Sequence, residues 1–316
     1  MSVAAPLKAT FAAFRPRPRR FVLARASLIY ALATLCLFGG FIALNPGPLG
    51  AFVGWYGQVM AVDGDLEALS RIAFPSPLFG LFAQFVLVLF GYFAISAAYE
   101  AACLRWLIAT RVEGRLGFSF AAEARRIYVG YWAWAALFLV ITVGVASLFG
   151  ALAMGLVALG VDINAVDQPT SPLQVAARLT QIGVIAALGT RFAPTAALSL
   201  TREGLSFTAA WSVTRPIFAP LLVSYTALYA LLVAALLSVW TIGAALLFGG
   251  VVPKIAALGA GPDPQVVLGI LGNALLEPRA GVIGFILLAV HAVIAPIFMV
   301  ALFGVNARVA MLAREG

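Results

Sequence analysis

The feature that most limits this chain is a run of 35 residues, Ile127 to Val161, without a single charge. As helix it is about 52 Å long, well beyond the roughly 30 Å of a bilayer core. Comparable runs recur along the sequence. Charged residues are only 10% of the 316, and hydrophobic residues 63%. A water-soluble domain carries roughly 25% charge. So few charges cannot coat a soluble particle of this size, so lipid is the expected solvent. That excludes a soluble enzyme, a disordered chain and a secreted disulfide scaffold. Cys36 and Cys103 both fall in or beside apolar runs, and neither a disulfide nor a Cys/His metal cluster is expected.

Six spans account for the apolar runs, so the fold class is an all-α integral membrane protein. They are placed at about 26–44, 77–104, 127–150, 172–195, 218–248 and 280–305. Span one ends at the breaker Asn45-Pro46-Gly47-Pro48, and span two continues to about Leu107. Beyond 150 the third run continues as a tilted or interfacial extension. Span four is short of apolar residues, and Arg178 there is expected to snorkel outward. Pro194, Pro220 and Pro296 are expected to kink or break spans four to six. Residues 1–25 form a basic tail, 26–308 the membrane domain and 309–316 a second tail. A long basic n-region and a 19-residue apolar run favour a retained first span over a cleaved signal peptide.

Charge placement orients the spans. Of 20 Lys and Arg, 16 fall in alternate segments: the N-terminal tail, the second and fourth connections and the C-terminal tail. By the positive-inside rule both termini are expected in the cytoplasm of a bacterial inner membrane. The opposite connections carry acids, among them Asp63, Asp65 and Glu67, which read as a solvated turn rather than a cation site. The net charge of +8 is then a product of topology, and nucleic acid is not an expected partner.

Three segments that precede outward-going spans look alike: TFAAFRPRPRRFVLARASLIYAL, FSFAAEARRIYVGYWAWAAL and LSFTAAWSVTRPIFAPLLVSYTAL. They suggest three parallel hairpins, each with an interfacial helix, or convergence on a common membrane-interface composition. Phe118, Phe120, Phe207 and Trp211 suit acyl chains. Arg15, Arg17, Arg19, Arg20, Arg125, Arg126 and Arg215 suit the headgroups of anionic lipid in the cytoplasmic leaflet. For the N-terminal cluster, topology alone is a sufficient explanation.

Ionisable groups near membrane depth are the functional candidates: Glu100, Arg105, Arg178, Arg191 and His291. Glu100 and Arg105 are five residues apart and do not stack. If the hairpins are equivalent, Glu100 faces Arg191 across spans; otherwise it is an exposed carboxylate at the headgroups. His291 is expected to be a satisfied interhelical hydrogen-bond partner. Gln174, Arg178 and Gln181 can form a polar stripe, and Gln84, Tyr225 and Asn306 can join interhelical contacts. No phosphate-binding loop, metalloprotease helix or nucleophile elbow is present. No cofactor is implied, and no nucleophile–base set for catalysis appears.

Two stretches carry a resemblance. They are Ala97 to Trp106 (AAYEAACLRW), and Arg191-Phe192-Ala193-Pro194 followed by Leu205-Ser206-Phe207 and Ala210-Trp211-Ser212-x-Thr214. They resemble uncharacterised bacterial inner-membrane proteins and the membrane domain attached to some glycerophosphodiester phosphodiesterases. Here the proline follows Arg191 by three residues rather than five, and no hydrolase domain is present. The resemblance implies an all-helical membrane domain and no defined activity. A non-enzymatic protein acting through lipid or a membrane partner, or through another copy of itself, is the first expectation. A transporter with a polar path at Glu100, Arg178, Arg191 and His291 is the second.

Overall fold

The computed structural model describes residues 12–14, 21–61, 70–113, 118–162, 170–202, 204, 207–259 and 264–315. All regular structure among them is helical. A 3-10 turn at Ala12–Phe14 is followed by α1 (Phe21–Leu44), α2 (Pro46–Ala61), α3 (Pro77–Ala109), α4 (Ala122–Ala158), α5 (Pro172–Phe192), α6 (Thr195–Thr201) and α7 (Phe207–Thr214). Then come a 3-10 turn at Arg215–Ile217, α8 (Phe218–Phe248), α9 (Val252–Ala256), α10 (Pro264–Leu276) and α11 (Pro278–Glu315). Six stretches are long and apolar enough to cross a membrane: α1, α3, α4, α5 with α6, α7 with α8, and α11. In hydrocarbon the backbone must satisfy its own hydrogen bonds, and helices do so within one segment.

Several boundaries differ from the sequence reading. Span three is one unbroken helix of 37 residues, and span six one of 38. Span two runs on to Ala109. The prolines mostly start helices rather than kink them. Pro46, Pro77, Pro172, Pro264 and Pro278 each open one, where the missing N–H costs nothing. Ser171 caps α5 by accepting a bond from the Gln174 N–H at 3.2 Å. Pro220 sits in the first turn of α8, where it needs no kink. Pro194 does separate α5 from α6, and Pro296 lies inside α11. The Asn45–Pro48 breaker stops α1, but a new helix begins at once, and Asn45 donates to the Phe41 carbonyl at 2.9 Å.

The chain packs as two units. The second comprises Ala24–Ser96 and Tyr229–Met299. In it α1 lies on α3 through Phe38–Tyr92 and Phe41–Phe85 ring contacts, with Leu37 against Gly91. The Tyr30 hydroxyl bonds that of Tyr92 at 3.3 Å. α2 packs on α10, two helices the sequence reading left as connections. Leu287 of α11 occupies the space where a side chain at Gly243 of α8 would sit.

The first unit comprises Met1–Leu23, Ala97–Leu228 and Val300–Gly316. Here α4 and α5 pack along each other, and α6 and α7 close around the end of α5. The centre is the end of α3. Every residue from Ala97 to Leu107 is buried, whereas Phe79, Phe82 and Leu87 nearer its start are exposed. A helix buried on all sides must be enclosed by protein. Ala97, Ala98, Ala101 and Ala102 let neighbours come close.

The three look-alike segments do not all form interfacial helices. Before α8 the segment does form a short helix, α7, followed by a 3-10 turn that holds Pro216. Before α4, residues 118–121 are non-helical, because Phe118 stacks on Tyr99 (6.3 Å) and Ser119 accepts a bond from Arg105 (2.8 Å). Before α1 only the short turn is described. It tucks against α11, where a Cβ on Gly304 would lie 3.0 Å from the Ala13 nitrogen and 2.7 Å from its Cβ. Backbone there cannot yield as a side chain can. Gly304→Val is therefore expected to cost about 1–3 kcal/mol, read as earlier unfolding in detergent titrated with dodecyl sulfate. A variant as stable as the parent overturns this docking.

Candidate functional site

The polar residues that the sequence singled out gather mainly in the first unit, in three arrangements. The first surrounds Arg105. Its side chain is 5% exposed, yet it lies 3.2 Å from Glu123 and 3.5 Å from Glu113. α3 ends here at Thr110, whose left-handed φ of 53° turns the chain back, its N–H bonding to Trp106 O at 3.1 Å. The turn returns Glu113 to Arg105 and to the exposed Arg111. α4 then opens with Glu123 in its first turn, where an acid also suits the helix dipole. Arg105 is thus a structural pin for the corner between two spans.

The second arrangement is Glu100, 4% exposed, which accepts a short hydrogen bond of 2.5 Å from the Tyr131 hydroxyl of α4. Among the described residues no Lys or Arg lies within ion-pairing distance of it. The Glu100–Arg191 pair inferred from the repeat does not form, and Glu100 is not an exposed carboxylate either. The hairpins are not equivalent at these positions: α4 reaches Glu100 with Tyr131, while Arg191 is engaged elsewhere.

Arg191 is the third. Its guanidinium carbon stands 5.0 Å from the ring centroid of Trp211 and 4.4 Å from that of Phe218, within cation–π range of both. Phe192 adds ring contacts to Phe207 and Trp211. Thr214, wholly buried, donates from its hydroxyl to Ala210 O at 2.7 Å and lies 3.4 Å from Arg191 O. The arginine, aromatic and threonine positions quoted for the resemblance therefore meet in one place, and Pro194 opens the helix that follows. The Arg191 Nη1 is enclosed and has no hydrogen-bond partner. An unmet buried donor costs about 1–3 kcal/mol, more when charged.

The remaining candidates lie apart. Arg178 is exposed on α5, and the expected stripe divides because Gln181 turns to Thr142 on α4 (3.0 Å). His291 belongs to the second unit, and its Nδ1 is enclosed without a partner, contrary to a satisfied histidine. A polar path through Glu100, Arg178, Arg191 and His291 is not assembled within either unit. Of the headgroup candidates, Arg125 and Arg215 are exposed, and Arg126 is half-buried with Nη1 3.4 Å from Ser199 O. Arg15, Arg17, Arg19, Arg20 and the acids Asp63, Asp65 and Glu67 lie outside the described residues. Tyr225 does find Asn306, at 2.6 Å, while Gln84 is exposed. Cys36 is exposed, Cys103 is buried, and both are free.

Sequence reasoning missed Tyr131, Glu113, Glu123, Ser119 and Phe218. Glu123 opens a span and Glu113 lies in a basic turn, so the available signal was an acid flanking a span that ends in a buried arginine. No family model, curated protein or solved structure matches this chain.

The geometry predicts that Tyr131→Phe lowers stability by about 1–3 kcal/mol, the cost of leaving a buried polar group without its hydrogen-bond partner. It also predicts that the swap Glu100→Arg with Arg191→Glu does not restore what Glu100→Arg loses. Unfolding in mixed micelles measures both; recovery in the double variant contradicts the observed partners.

Proposed function

We propose that this chain is a multi-pass protein of a bacterial cytoplasmic membrane, with both termini in the cytoplasm. It performs no covalent chemistry and works by holding anionic lipid against a basic interfacial surface. One observation carries the reading. Of the described Lys and Arg, ten belong to the first unit and four to the second. Arg125, Arg202 and Arg215 of the first unit are exposed, as is Trp211 of α7 at 45%. Aromatic side chains and exposed guanidinium groups at the start of α4, the end of α6 and around α7 suit the zone where acyl chains meet phosphates. The internal pairing of Arg105 and of Glu100 supports structural roles for the deepest charges rather than roles in a transport path.

Two measurements test this. Reporter fusions at residues 60, 165 and 265 are expected to read periplasmic, and a cytoplasmic reading at any of them overturns the topology. Lipid co-extracted with the protein by mild detergent is expected to be enriched in acidic phospholipid, less so as salt is raised. Changing Arg125, Arg126 and Arg215 together to Gln should at least halve that enrichment, since each basic residue near an anionic surface is worth about 1 kcal/mol. Enrichment that ignores both salt and these arginines overturns the lipid reading.

A further inference from the structure

Arg191 has charge and donors that nothing else in the first unit uses. Trp211 and Phe218 cover the guanidinium with ring faces, which hold a cation but accept no conventional N–H bond. Among the described residues no carboxylate lies within ion-pairing distance of it. Its Nη1 is enclosed and unbonded. One helical turn further on, at the α5–α6 break, Thr195 is 6% exposed and its hydroxyl is also enclosed without a partner. One guanidinium nitrogen and one hydroxyl, four residues apart across the break at Pro194, are thus both enclosed donors without an acceptor.

The missing acceptor is an oxyanion. A carboxylate offers two oxygens, which the planar guanidinium fork alone can occupy. A tetrahedral phosphate offers a further oxygen for the hydroxyl, and arginine is well suited to phosphate. Arg191 is only half-buried and Trp211 beside it is exposed, so the site lies next to the protein surface even though Nη1 itself is enclosed.

We propose that Arg191, set between Trp211 and Phe218, together with Thr195 binds the phosphate of a phosphate ester. The source is a phospholipid headgroup or a soluble ester of the same chemistry. This rests on the lipid-interface reading above and narrows it from a diffuse surface to one site.

Native mass spectrometry of the purified full-length protein tests it, with phosphatidylglycerol, diacylglycerol or glycerol phosphate added to detergent-solubilised samples. One phosphatidylglycerol per chain should be retained, and diacylglycerol, which lacks phosphate, should not. Arg191→Lys keeps the charge but loses the fork and should weaken retention about tenfold. Thr195→Val should weaken it several-fold, and Arg178→Lys on the same helix should leave it unchanged. Glycerol phosphate bound with the same dependence, without phosphatidylglycerol, supports the site and identifies a soluble ester as its ligand. Retention equal in the parent, Arg191→Lys and Thr195→Val overturns the site, as does binding of neither phosphate compound. If acidic-lipid enrichment persists in that last case, only the site falls; if enrichment is also absent, the reading beneath it falls too.

Discussion

The last turns of α3, from Ala97 to Leu107, are enclosed by protein on every side, and much of the first unit is arranged to make that tolerable. Charged groups in such a place must be paired or neutralised, because desolvation costs several kcal/mol per ion. Arg105 is met by Glu123 and Glu113, and Glu100 by Tyr131. These contacts decide where α4 begins and why residues 118–121 stay out of a helix. Tyr99, between Phe118 and Phe303, brings the last part of α11 to the same centre.

Apolar run length fixed the number of spans, because a bilayer sets a length that composition alone must meet. The helix α8 covers the residues expected for span five, although the apolar stretch it belongs to begins earlier, at Phe207, and Pro172 opens the helix expected for span four. Helices α2 and α10 were not legible, since their apolar residues sit in stretches rich in Gly and Pro that read as turns. At these positions proline starts a helix rather than ending one. Of the candidate site, the residues were visible as charges out of place, but their partners were not. Glu100 and Arg191 were matched through an inferred repeat, and side-chain reach overruled it. A tyrosine on α4 took the acid, and two aromatic rings took the guanidinium.

A division of labour among the arginines follows. Arg105 is consumed by structure. Arg125 and Arg215 face outward and suit a lipid surface. Arg191 is positioned by aromatic rings and, unlike Arg105, has no carboxylate within ion-pairing distance among the described residues. The resemblance noted in the sequence falls on the enclosed part of α3 and on the Arg191 cluster. Those are places where packing, as much as activity, can dictate residue type.

Internal charge pairing holds the enclosed end of α3. A double-mutant cycle between Arg105 and Glu123, Arg105→Met with Glu123→Gln, tests it most directly through unfolding free energies in mixed micelles. A coupling of about 1.5 kcal/mol or more is expected, in line with hydrogen bonds to charged groups. Effects that add to within about 0.5 kcal/mol would mark the residues as independent, and would contradict it.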